Sequence, residues 1–218
     1  MYGTLTHYSL PVSRRTIVIN REAKGVPTSL YYDLLKHLPP KKSENDLAKE
    51  RAADIANILR KDEETQFFNR IVISSPKKGE VSLTNFVRKI SPLVQKNKGK
   101  FSVYFLNEQV GILNNYFKAL NNVFPNEFKL DRMTFFKTLG FGAIINFLPT
   151  VFDITMKHHK GFQVSDVINI LKKIDYFDFN AWDQYGSGNA VEIQAGDDMR
   201  QELLSIIDKT TDPGSIKL

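Results

Sequence analysis

"MTFFKTLGFGAIINFLPTVFDITMKH", residues 133–158, decides how the chain folds. Its apolar side chains occur on every side of a helical wheel rather than along one stripe. A helix of that kind has to be enclosed by other elements. The most apolar part, residues 139–152, is too short to span a bilayer and is interrupted by Pro149. The segment therefore reads as the buried core, either one helix or two meeting near Pro149. The rest of the chain has to supply the amphipathic elements that cover it.

It does so on both sides. In "EQVGILNNYFKALNNVF" (108–124) Val110, Leu113, Phe117, Leu120 and Phe124 recur at helical spacing, and Pro125 stops the run. "QVSDVINILKKI" (163–174) turns Val164, Val167, Ile168 and Leu171 inward, and "MRQELLSIIDK" (199–209) is the last helix. Upstream, "KKSENDLAKERAADIANILRKDEE" (41–64) is the clearest helix. Ser43 or Asn45 can cap it, Glu44 and Asp46 suit its positive end, and Leu47, Ile55, Ile58 and Leu59 form one side with alanines beside them.

"RIVIS" from Arg70, the turn "SPKKGE" and "VSL" from Val81 read as a β-hairpin. Ser82 or Thr84 then opens a helix that Pro92 kinks or ends. Nearer the N-terminus, Ile17-Val18-Ile19 is a short strand candidate that stops at Asn20. Thr28 or Ser29 caps a helix carrying Leu30, Leu34 and Leu35, which Pro39-Pro40 ends. Residues 1–15 read as an extended arm. No Pro-, Gly- or Ser-rich linker divides the chain. The expectation is one domain over residues 1–218, of the α+β class and mainly α: a helical bundle-like unit with one small antiparallel hairpin.

Composition narrows the chemistry. The chain has 218 residues, 42% hydrophobic and 25% charged, which is ordinary for a globular domain with a real core. It has no cysteine, so disulfides, thiolate zinc sites and cysteine nucleophiles are excluded together. That fits a reducing cytosol, and the first fifteen residues lack the apolar run of a secretory signal. A cytoplasmic location and no membrane partner are expected. The net charge is +6, with 19 Lys and Arg against 10 Asp and Glu in residues 1–100, and 11 against 14 in residues 101–218. A basic first half points to a polyanion partner.

The first candidates for phosphate contact are Arg14, Arg15, Arg21 and Lys24, which flank the strand candidate; arginine offers phosphate a bidentate fork. Lys41-Lys42 and Lys77-Lys78 fall at loop or hairpin tips, and Lys96, Lys98 and Lys100 make a further basic run. Asn20 reads as a structural turn residue. "YGSGNAVEIQAGDD" (185–198) has glycines but neither the fingerprint spacing nor the lysine of a phosphate loop. Its Asp197 and Asp198 read as capping carboxylates on a surface loop. His158-His159 stand between Lys157 and Lys160, which disfavours a cation there. Asp175, Asp178 and Asp183 are interleaved with aromatics and read as solvated acids on a half-buried turn, without an acid–base partner. No cofactor and no metal are expected.

The order of these elements carries a resemblance. An apolar run ending in Asn20 precedes a Ser29-Leu30 helix. Phe67, Arg70 and Ile71 follow as "F-x-x-R-I". Thr84 opens a helix with Phe86, Val87, Arg88, Ile90, Pro92 and Leu93. Asn115, Tyr116, Phe117 and Ala119 then form an "N-Y-F-x-A" helix, and Gly140 lies in the apolar helix after it. The series, over roughly residues 14–155, resembles the C-terminal part of the DGQHR-domain family, which includes the DndB-like proteins of DNA phosphorothioation systems. The Asp-Gly-Gln-His-Arg pentapeptide of that family is absent, and His7, His37, His158 and His159 stand in no similar context. The resemblance implies the helical half alone, one product of a split gene or a shortened chain. ATPase or nicking activity of the missing core does not carry over.

The leading expectation is a non-catalytic, DNA-associated accessory or regulatory module of a prokaryotic DNA-modification or defence system. Its partners would be DNA, through the basic half, or a protein carrying the missing DGQHR core. The alternatives are a residual nucleic-acid-processing enzyme using the Asp175–Asp183 region or the glycine-rich stretch, and a protein–protein module. The purified chain is expected to hydrolyse no ATP and to cut no DNA. Nucleotide turnover that a point substitution within the chain abolishes would overturn this.

Overall fold

The computed structural model describes residues 43–210. In chain order the elements are α1 (Glu44–Leu59), β1 (Ile71–Val72), β2 (Val81–Ser82), α2 (Leu83–Val94), α3 (Leu106–Val123), α4 (Thr138–His159), α5 (Val164–Leu171) and α6 (Asn189–Thr210). Short 3-10 turns occupy Pro125–Phe128, Thr134–Phe136, Lys172–Ile174 and Phe179–Gln184. The fold is mostly helical, as expected. The expected arm, the Ile17–Asn20 strand and turn, and the Leu30–Leu35 helix lie outside the described residues.

Local chemistry sets the ends of α1. Ser43 accepts the Asp46 backbone N–H at 3.1 Å, capping the first turn. At the other end the Thr65 hydroxyl donates to the Leu59 carbonyl at 2.6 Å, and the Asn69 N–H donates to the Arg60 carbonyl at 3.0 Å. Carbonyls that a helix terminus leaves without partners are thereby satisfied. The buried face differs from the expected one. Ala48, Ala52, Ile55, Ala56 and Leu59 face inward, while Leu47 and Ile58 are 48% and 41% exposed. Small alanine side chains let α1 lie close on α2, and that packing outranks the larger side chains at 47 and 58.

The expected antiparallel hairpin is instead a parallel pair, with Ile71 opposite Val81 and Val72 opposite Ser82. Residues 73–80 do not make a tight two-residue turn of the hairpin kind. They carry the chain back to the start of β1, where the Val81 N–H donates to the Arg70 carbonyl at 2.8 Å. The second strand cannot lengthen, because Ser82 already accepts the Asn85 N–H at 3.1 Å as the cap of α2.

The core is aromatic. Phe67, Phe86, Phe117, Phe136 and Phe141 are all buried and meet ring to ring, with Phe67 and Phe117 centroids 4.2 Å apart. Such rings contribute more buried area than any aliphatic side chain. The Tyr116 hydroxyl donates to the Ile144 carbonyl at 3.0 Å, and burial holds its phenol well above the ordinary range. A second seam joins Phe124, Phe135, Phe177, Phe179 and Trp182.

From Thr138 onward the opening segment forms one helix, α4, which runs through Pro149 without dividing. A proline inside a helix costs about 3 kcal/mol. Burial on both sides of it, from Phe141 to Leu148 and again from Val151 to Thr155, outweighs that cost. By length and composition α4 could cross a membrane, yet 67% of its most apolar window is buried inside the protein. Its main neighbour is α6. The two helices approach through glycines. A Cβ on Gly196 would stand 2.7 Å from the Ala143 carbonyl oxygen and 3.0 Å from Asn146 Cβ.

Two glycines in helices should therefore respond oppositely to alanine. Nothing lies within 4 Å of a Cβ built on Gly111, so Gly111→Ala should stabilise by about 0.5–1 kcal/mol, the usual backbone gain in a helix. Gly196→Ala forces α4 and α6 apart, and overpacking of about 1–3 kcal/mol should exceed that gain. Urea unfolding of the two variants, compared with the parent, gives the signs.

Candidate nucleic-acid interface

Polar chemistry concentrates at three places among the described residues. The most buried is where α2, α4 and α6 meet. The Glu192 side chain is 2% exposed and faces the Lys89 ammonium, itself 6% exposed. Arg88 Nη2 lies 3.4 Å from the other carboxylate oxygen and donates to Asn85 Oδ1 at 2.8 Å. Lys89 also donates to Asn189 Oδ1 at 2.8 Å. Glu192 Oε2 meets Lys89 as an ion pair. Gly142 on α4 makes room for it, since a Cβ there would come within 2.3 Å of that oxygen. The buried Glu192 carboxylate is matched by Lys89 within the cluster, with the half-exposed Arg88 at its edge, so the cluster joins helices.

The second place is the loop from β1 to β2. Lys77 and Lys78 are exposed at its tip, as expected for a loop that can reach phosphate. The Lys77 N–H donates to the Glu80 carboxylate at 2.8 Å, and the Lys78 ammonium donates to the Asp131 carbonyl. Gly79 has a φ of 83°, which favours glycine. Arg70 holds the loop from below: its guanidinium lies 3.4 Å from the Gly79 carbonyl and 5.0 Å from the centre of the Phe136 ring, a cation–π contact. Nearby, Arg132 is committed to Glu127 at 2.9 Å and to Asn180 at 2.9 Å, and Lys137 to Asp183 at 3.3 Å.

The third place was not legible as a unit. The last turn of α4 carries Lys157, His158 and His159, and Lys160 caps it with a φ of 55°. Helix α5 then returns the chain so that Lys173 and Asn169 stand against His158 and His159 around a shallow pocket of about 300 Å3. Lys157, Lys160 and Lys172 flank the pocket in the chain and are exposed. The acid paired with this group is Asp166, 3.9 Å from His159 Nδ1, and it also accepts the Gln163 N–H at the start of α5. Part of the charge answers the negative end of the α4 dipole. The remainder projects into solvent from two segments, where phosphate oxygens can reach it.

The other sequence candidates separate. Arg14, Arg15, Asn20, Arg21, Lys24, Lys41 and Lys42 lie outside the described residues. Lys96 and Lys98 are exposed in the loop after α2, and Lys100 pairs with Asp153 on α4. The acids near residue 180 do not converge: Asp178 accepts the Asn180 N–H at 2.9 Å, while Asp183 pairs with Lys137. Among the described residues no group of three or more His, Asp or Glu side chains is placed to hold a metal.

The glycine-rich stretch is helix from Asn189 onward, so Asp197 and Asp198 do not cap it. Asp197 pairs with Arg200 at 2.8 Å. Asp198 accepts the Tyr185 hydroxyl at 2.6 Å, and that hydrogen bond raises the pKa of the phenol. Comparison with family models, curated proteins and solved structures returns no match.

The buried cluster yields a stability prediction. Lys89→Met leaves the Glu192 carboxylate enclosed with its nearest cation gone, and should cost about 3–5 kcal/mol. Lys89→Met combined with Glu192→Leu should recover most of that loss, because an apolar pair of similar volume avoids the desolvation of both charges. A double-mutant cycle in urea measures the coupling.

Proposed function

We propose that this chain is a non-catalytic, DNA-associated accessory module that contacts the phosphate backbone. The reading is supported chiefly by the pocket that His158, His159 and Lys173 line together, with the exposed Lys157, Lys160 and Lys172 next to them in the chain and Asp166 as the neighbouring acid. Lys77 and Lys78 add an exposed pair on a loop, and Arg14, Arg15, Arg21 and Lys24 add a basic sequence cluster near the N-terminus. Contacts from arginine and lysine side chains to phosphate carry no sequence information, so backbone affinity without sequence discrimination is expected.

The resemblance of the residue series to the helical part of DGQHR-domain proteins is what supports reading the module as part of a prokaryotic DNA-modification or defence system. There it would work beside a protein that carries the missing core. The cytoplasmic assignment belongs to the same proposal.

Salt dependence tests it. Each neutralised phosphate releases counterions, so log K against log salt falls by about 0.9 per contact on duplex DNA. Replacing Lys157, Lys160, Lys172 and Lys173 by Ala together should flatten the slope by up to about 3.6, and Arg14→Ala with Arg15→Ala by about 1.8. These side chains lie off the apolar pattern, so circular dichroism should show the helices unchanged. Titrations of one duplex at several salt concentrations compare the variants. Binding that ignores salt would discard the DNA reading in favour of a protein partner.

A further inference from the structure

The pocket where the end of α4 meets α5 and α6 holds cations that no acid engages. Elsewhere Lys100, Arg132 and Lys137 each meet a carboxylate, from Asp153, Glu127 and Asp183. Among the described residues no carboxylate pairs with His158 or Lys173, which line the pocket together with His159 and Asn169. The neighbouring acid, Asp166, faces His159 Nδ1 at 3.9 Å and accepts the Gln163 N–H at 3.1 Å, so it is committed to the start of α5. The rest of the lining is apolar: Ile170 and Ile207, 2% and 9% exposed.

We propose that this pocket takes the terminal phosphate of a DNA strand, a phosphate monoester. The inference rests on the DNA reading above and adds to it a contact made only at strand ends. Concavity is the first feature that selects an end. A bridging phosphate of a duplex carries a single charge and has the chain continuing on both sides, so the exposed Lys157, Lys160 and Lys172 suffice for it. A terminal monoester carries about −1.5 to −2 charges near neutral pH and three strong acceptor oxygens. With no chain beyond it, such a group can enter a recess and meet His158, His159 and Lys173 from more than one side.

The isoleucines are the second feature. A phosphate alone gains nothing from apolar surface. A terminal nucleotide also brings its deoxyribose, whose carbons can cover Ile170 and Ile207 while the phosphate meets the cations. The pocket holds about 300 Å3, the lower bound of cavities that take small molecules, which suits a phosphate and its sugar without the base. Because Asp166 faces Nδ1 of His159, the contact from that ring falls to Nε2. Asn169 adds an amide N–H. The roles then divide: the exposed lysines follow the strand and the pocket holds its end.

The test uses the full chain and short duplexes of one sequence that differ only at their ends: phosphate on the 5′ ends, phosphate on the 3′ ends, hydroxyls throughout, or hairpin loops that leave no terminus. Affinities are compared at one salt concentration and neutral pH. At least one phosphorylated duplex should bind at least about tenfold more tightly than the hydroxyl-ended one, roughly the worth of one hydrogen bond to a charged group. Which of the two does so gives the strand polarity at the pocket. The looped duplex should bind like the hydroxyl-ended one. His158→Gln combined with Lys173→Gln should bring the ratio close to one. Lys172→Ala, outside the pocket, should weaken every duplex and preserve the ratio. Circular dichroism checks that the variants keep their helices. Equal affinity for phosphorylated and hydroxyl ends would overturn the inference and leave the DNA reading standing. A preference that the double substitution does not alter would overturn it as well. Failure to bind any duplex would overturn both.

Discussion

The close approach of α4 and α6 is the constraint on which the rest depends. It exists because Gly142 and Gly196 have no side chains at the crossing, and because the space left beside Gly142 is filled by the Glu192 side chain. That carboxylate is held by Lys89 from α2, so one buried charge pair ties together three helices that are distant in sequence. A purely apolar contact would tolerate sliding. An ion pair seated over a glycine allows one register only, since any shift leaves an enclosed charge without its partner. The phenylalanines around Phe67 and Phe117 form the aromatic centre of the core, and the glycine crossing fixes how the helices around them are arranged.

What was legible in the sequence follows from whether the signal was local. Ser43, Glu44 and Asp46 mark the start of α1 because capping chemistry acts within one turn. Phe117 and Leu120 mark α3 because its inward face repeats regularly. The inward face of α1 was misread because hydrophobicity favours Leu47 and Ile58, whereas close packing favours Ala52 and Ala56. The start of α6 was missed because Gly186, Gly188 and Gly196, with the aspartates after them, resemble a loop. Gly196 is in fact there for the contact with Ala143, which only the folded chain displays. The strand pair was expected to be antiparallel because "SPKKGE" has turn composition, and composition does not encode the direction in which the chain leaves.

The candidate interface divides along the same line. Lys77 and Lys78 were visible as a tip because a charged Pro- and Gly-containing loop is exposed wherever it sits. The group at the end of α4 was not, because Lys157–Lys160 and Lys172–Lys173 are separated by α5. The available signal was the length of that helix: eight residues, with Val167, Ile170 and Leu171 buried, bring the chain back against α4. Net charge by halves conceals this group. The second half is net acidic as a whole, but much of its acid is committed to partners, such as Glu127 to Arg132 and Asp183 to Lys137.

The chain's single tryptophan, Trp182, is 4% exposed within the aromatic seam of Phe135, Phe177 and Phe179. Its fluorescence therefore reports on one locality: the seam beside the irregular turns between α5 and α6. Far-ultraviolet dichroism reports on the helices as a whole. Melting curves from the two probes coincide only if the seam and the bundle come apart together. The placement of one indole thus gives the protein an internal gauge of whether it unfolds as a single cooperative unit or loses the seam first.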